Sequence, residues 1–160
     1  MLENAMLTCP DELWSDPSKK PQWVSHNVVG FWYVVYHTLF FLDLQFSDSF
    51  ETFAPPAPFT LDELDPAGLL PERPYTKAEM QSYLEHGREK CRSAIAALTE
   101  EQAAEPRRWG SLDLCVGELV LYSLRHVQHH AGQLNLLLRQ NTGSAPSWVR
   151  SSCLPLTDLE

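Results

Sequence analysis

The sequence predicts an all-α fold. Two segments, 76–98 and 113–140, carry apolar residues at helical spacing between capping and terminating residues. A third, 27–46, is too long and too uninterrupted to be a strand.

The first 25 residues include Pro10, Pro17 and Pro21. A proline inside a helix removes a backbone donor and clashes with the preceding turn, so a short helix is all this region can hold. In 27–46, the run Phe31-Trp32-Tyr33-Val34-Val35-Tyr36 has high β propensity. The segment nevertheless runs about 20 residues without proline, with Gly30 as its breaker, where strands typically run about 5–6. Apolar residues on every side predict a helix that is buried on several faces or shared with a partner subunit. Its most apolar part, 28–42, is broken by His37 and ended by Asp43. It falls short of the roughly 20 residues of a membrane span, so it reads as soluble core.

A Pro-rich stretch follows, 48–75, with Pro55, Pro56, Pro58, Pro66, Pro71 and Pro74. A connection this long is uncommon inside a compact domain. It is predicted to join the second helix to the third, either as a passive strap or as an active-site lid. Thr76 and Glu79 then form a capping box, and Met80, Leu84, Cys91, Ile95 and Leu98 make an apolar stripe behind it. Thr99 with Gln102 marks another short helical start before Pro106. In 113–140, Val116, Leu119, Val120, Val127, Leu134, Leu137 and Leu138 fall on one arc roughly 100° wide. Asn141 and Gly143 supply its stop.

A chain of 160 residues suits a single domain, 1–160, and its aromatic content (five Trp, five Tyr, seven Phe) is that of a globular protein. The net charge of −9 sets the surface against phosphate backbones, and the adjacent basic pairs are limited to Lys19-Lys20 and Arg107-Arg108, so nucleic-acid binding is not expected. Four cysteines without a C-x-x-C pair read as buried thiols in a reducing compartment. The N-terminus lacks the basic start and apolar run of a secretory signal, so a cytoplasmic protein is expected.

The chemistry lies in the histidines. Three of six sit in Arg125-His126-Val127-Gln128-His129-His130-Ala131-Gly132-Gln133. His126 and His130 are i and i+4, one turn apart on one helix face, so both imidazoles can reach one ion. With His126 at 0°, the apolar arc runs from roughly 20° to 120°, which places His130 inside it near 40° and His129 outside near −60°. Two imidazoles against an apolar stripe need partners, and a metal meets that need as well as hydrogen bonds do. A third donor can come from His37, the one histidine in the apolar helix, or from His129. His26 reads as a cap of that helix and His86 as surface. Gly132 inside a helix costs roughly 1 kcal/mol against Ala, which implies close approach of another helix. Gln133 reads equally as a hydrogen-bond partner of a ligand imidazole or as a polar contact within the fold.

His37 in a Trp/Tyr/Phe-rich helix, followed by His126-x-x-x-His130-x-Gly132-Gln133 in a long C-terminal helix, resembles the DinB-like superfamily across most of the chain. That resemblance implies a four-helix bundle that binds a divalent transition metal, zinc or nickel, through His37, His126 and His130. It also implies a homodimer, and in some members transfer of low-molecular-weight thiols or isomerisation of thiol adducts; other members have no assigned activity. Ala131 stands where relatives often carry Arg, and the short N-terminal helix departs from a full bundle, so a partner subunit is a candidate to complete it.

Three neutral histidines leave open positions on a metal, the arrangement of a catalytic rather than a structural site. The expected function is therefore a metal-dependent enzyme acting on a small molecule, of thiol S-transferase or hydrolase type. Its alternative is a non-catalytic metal-binding or stress-response homodimer. Tyr33, Tyr36 and Tyr122 are candidate proton donors and equally candidate core aromatics.

Overall fold

The computed structural model describes residues 1–18, 30–109 and 112–150. Among them are six helices: α1 (Leu2–Thr8), α2 (Asp11–Trp14), α3 (Phe31–Gln45), α4 (Lys77–Ala97), α5 (Glu100–Ala103) and α6 (Val116–Thr142). A 3₁₀ turn occupies Asp62–Leu64, and β1 (Pro106–Trp109) pairs antiparallel with β2 (Leu112–Cys115), Pro106 opposite Cys115 and Trp109 opposite Leu112. No helix of the described residues is long and apolar enough to cross a membrane.

The β propensity of the Phe31–Tyr36 run loses to burial. Twelve of the fifteen residues of α3 are buried, on all sides, because α4 and α6 pack on it and α1 and α2 also contact it. Helix formation pairs the backbone groups in the interior of this apolar segment, and Thr38 returns its hydroxyl to Val34 O at 2.6 Å. The helix begins at Gly30 for a steric reason. A Cβ there would stand 2.9 Å from Asp16 O and 3.0 Å from Asp16 N, both backbone atoms. Gly30→Ala is therefore expected to destabilise the protein by about 1–3 kcal/mol in urea unfolding, and an unchanged midpoint would contradict this contact. His26, expected to cap this helix, lies outside the described residues.

The long connection has a geometric cause. Tyr75, just before α4, lies against Trp32 and Tyr36 at the start of α3 (ring centroids 5.8 and 5.1 Å), whereas Tyr83, His86 and Lys90 meet Asp43 near its end. The two helices thus run in the same direction, and the chain must return the length of α3 between them. The strap is fastened from within: Phe53 and Phe59 are buried, Phe59 stacks on Tyr83 at 4.2 Å, and Tyr36 donates to Thr60 O at 2.8 Å.

The capping box of Thr76 and Glu79 opens α4. Its predicted stripe is buried at Met80 and Leu84, but Ile95 is 52% exposed, because α4 outruns α3, which ends at Gln45. The second box, Thr99 with Gln102, opens α5. At the N-terminus, α1 buries Leu2, Ala5 and Met6 and is tied to α4 by the Glu3–Arg88 ion pair.

The prediction that the last helix starts at 113 is corrected. Residues 112–115 form a strand paired with 106–109, and the helix starts at Val116 with Cys115 and Glu118 as its capping box. The fold is therefore mostly helical, as expected, with one small two-stranded sheet among the described residues. Gly143, at φ +75°, ends α6 in the left-handed conformation that favours glycine. The reason inferred for Gly132 also fails among the described residues: a Cβ there would meet none of them within 4 Å.

Candidate metal centre

Since α6 runs antiparallel to α3 and packs along it, the middle of α3 faces the middle of α6. His37 thereby meets His126 and His130. Nε2 of His126 lies 3.3 Å from Nε2 of His37 and 3.1 Å from Nε2 of His130. One ligand atom from each of the three residues falls within 4.8 Å of the others. His130 is buried, while His37 and His126 are half-buried.

The outer nitrogens explain why these rings present Nε2 to one another. His37 Nδ1 stands 3.0 Å from Glu63 Oε2. His130 Nδ1 stands 2.7 Å from Gln133 Oε1, while the amide Nε2 of Gln133 faces His129 Nε2 at 3.1 Å. Gln133 is thus a hydrogen-bond partner of a site imidazole, one of its two expected roles. An imidazole whose Nδ1 carries the proton offers its Nε2 lone pair to a cation, and a cation at the centre of the three would draw these atoms together. In a tetrahedral site with bonds near 2.0–2.1 Å, ligand nitrogens are about 3.4 Å apart, close to the two spacings at His126. His126 Nδ1, in contrast, is buried with no hydrogen-bond partner.

Burial, helped by the neighbouring imidazoles, pushes the pKa of His126 down to about 3. Burial likewise brings that of His130 down to about 4, against a Gln133 hydrogen bond that raises it. Both are neutral, metal-competent ligands at neutral pH. The linkage has a definite sign. An unfolded chain takes up these protons near pH 6.5 and the folded one does not, so their contribution is intact above pH 6.5 and falls as the pH drops toward 4. Urea unfolding of metal-free protein is expected to show a loss of up to roughly 2 kcal/mol for each of the two histidines between pH 7.5 and pH 5, reduced by the screening that their partial exposure allows. Equal stability at the two values would contradict it.

One side of the cluster opens into a cavity of about 320 Å³, walled by Phe41, Trp109, Tyr122, Gln45 and His129. Trp109 reaches it from the hairpin and packs on Phe41 at 5.8 Å, and Phe41 in turn covers His37 at 4.8 Å. His129, the rival third ligand, is exposed and sits in the cavity wall outside the triad. His86 is exposed as expected but bonds Asp43 at 3.2 Å, away from the cluster. Of the three candidate tyrosines, Tyr122 lines the cavity; Tyr36 is spent on Thr60 O, and Tyr33 is buried with its hydroxyl held far above the usual range by burial and then by Glu63. Glu63, Phe41 and Trp109 were not singled out from sequence. The hairpin that carries Trp109 had a signal, Gly110-Ser111 followed by the alternating Leu112-Asp113-Leu114-Cys115. Glu63 had none.

A helical protein whose two packed helices aim three imidazole nitrogens at one point beside an open pocket has the geometry to hold a mononuclear metal. The chain belongs to the DinB superfamily, whose family model matches residues 1–134. No curated protein and no solved structure matches it.

Proposed function

We propose that this chain is a single-domain, four-helix-bundle metalloprotein formed by α1, α3, α4 and α6. It holds one divalent ion, zinc or nickel, on His37, His126 and His130 and acts on a small molecule by thiol transfer or hydrolysis. The observation that carries this reading is the convergence of the three Nε2 atoms beside a cavity. Three nitrogen ligands leave an ion its positive charge and an open position. Bound there, it would supply Lewis-acid chemistry, lowering the pKa of a thiol or water so that the anion can attack. The chain's own residues do the rest. Phe41 and Trp109 pack on the apolar part of a substrate, and Tyr122 is placed to hold or pass a proton. The thiols of Cys9 and Cys91 are not the nucleophile, because burial pushes them up to about 12 and about 11.

Cobalt(II) in place of the native ion reports on the open position. Adding a small thiol such as 2-mercaptoethanol is expected to change the visible spectrum. Bound cobalt that ignores the thiol would favour the non-catalytic alternative.

The net charge of −9 supports a small-molecule partner over nucleic acid, and Cys9, Cys91 and Cys115, all free, support a reducing, cytoplasmic setting. A homodimer across α6 is proposed on the exposure of Leu121 (62%), Leu124 (65%) and Leu136 (52%) around Gly132. Sedimentation should give a dimer that Leu124→Lys weakens; a wild-type monomer at high concentration would refute it.

A further inference from the structure

Glu63 is a buried acid at the point where the Pro-rich connection meets the histidines. Its side chain is 6% exposed, its Oε2 contacts His37 Nδ1 at 3.0 Å, and the same carboxyl group is hydrogen-bonded with the Tyr33 hydroxyl. Burying a carboxylate is costly unless donors or positive charge compensate it, so the placement needs a reason. We propose that Glu63 is a positioning residue of the metal centre. Its carboxylate accepts the Nδ1–H of His37, fixes that tautomer and aims Nε2 at the point shared with His126 and His130. This rests on the three-histidine reading of the site.

The three imidazoles are oriented by different means. His130 is held by Gln133, three residues on in its own helix, and no hydrogen bond orients His126 through Nδ1. His37 is packed by the rings of Phe41 and Tyr33, at 4.8 and 6.5 Å, which restrict the ring but do not place its proton. The proton is placed from another part of the chain. A cation on Nε2 makes Nδ1–H a stronger donor and offsets the buried negative charge, so the contact and the metal reinforce each other.

The connection is thereby part of the site. Glu63 lies in the turn Asp62–Leu64, whose backbone is closed by Leu64 N–H to Leu61 O at 2.9 Å and Asp65 N–H to Asp62 O at 3.1 Å. Whatever factor docking of this turn contributes to metal affinity, metal binding returns to docking, because linkage is reciprocal.

Three measurements on the full chain test this: zinc affinity by competition with a chromophoric chelator, the His37 tautomer by nitrogen-15 NMR of zinc-free protein, and amide exchange at Leu64 and Asp65 with and without zinc. In the wild type, His37 carries its proton on Nδ1, and zinc slows exchange at both amides. Glu63→Ala weakens zinc about 10–100-fold, releases the tautomer and abolishes the zinc-dependent protection, with helicity unchanged. Glu63→Gln keeps an acceptor, retains the tautomer and binds zinc several-fold more weakly than wild type. A Glu63→Ala protein that binds zinc within twofold of wild type with His37 unchanged overturns the proposal. If that variant does not fold, wild-type affinity in Glu63→Gln, or zinc that leaves the two amides unprotected in the wild type, overturns it. A wild type that takes up no zinc sinks the metal reading instead, and the tautomer comparison alone then decides the Glu63 contact.

Discussion

Asp43→Ala is expected to lower the stability of the protein by about 3 kcal/mol, seen as a lower urea midpoint at unchanged slope. Asp43 is 1% exposed, yet it lies in the most apolar helix of the chain. Its carboxylate accepts from Tyr83 Oη at 3.1 Å and His86 Nε2 at 3.2 Å, and it forms an ion pair with Lys90. Lys90 also donates to the Asp43 carbonyl at 2.9 Å and to Ser47 Oγ at 2.7 Å, so one cation closes the end of α3 onto α4. Removing the carboxylate strands a buried tyrosine hydroxyl and a half-buried ammonium together. Losing one partner of a buried pair costs about 3–5 kcal/mol, and the lower figure applies because Lys90 keeps some solvent. Asp43→Asn, which retains an acceptor for Tyr83, should fall between the two. A loss below about 1 kcal/mol in Asp43→Ala would mean that the cluster is not what joins these helices.

This cluster marks where the sequence stopped being informative. Asp43 reads as the polar end of an apolar run, because its partners lie 40 to 47 residues away and nothing local announces them. The helices themselves were legible. Periodicity placed α4 and α6, the Thr76 and Thr99 boxes opened α4 and α5, and Gly143 closed α6, since caps and stripes are local signals. The hairpin was lost because each of its strands is only four residues long, too short for its alternation to stand out beside the helical stripe that begins at Val116. The exposure of Ile95 was lost because a stripe says which side of a helix is apolar, not how far its neighbour extends.

The candidate site divides in the same way. His126 and His130 are readable as a pair from their spacing and their place on the arc. His37 was one of two options until the family pattern favoured it, and the packing of α3 on α6 brings its ring to the other two. Glu63 sits among Asp62, Asp65 and other polar residues in a segment with no period, where a buried acid looks like any exposed one. A fold must bring it to His37 before it carries meaning.

His130→Ala has the largest expected effect on the site. It removes the most buried of the three imidazoles, the one already held by Gln133, and leaves two nitrogens where three are needed to hold an ion firmly. His129→Ala, a change in the cavity wall outside the triad, should leave binding intact. The decisive measurement is metal content per chain of tag-free protein, loaded with zinc or nickel and then desalted, for the wild type and both variants at equal helicity. The account predicts about one ion per chain in the wild type and in His129→Ala, and a clearly substoichiometric amount in His130→Ala. A wild type that stays substoichiometric with either metal, or a His130→Ala protein that keeps its full ion, would contradict it.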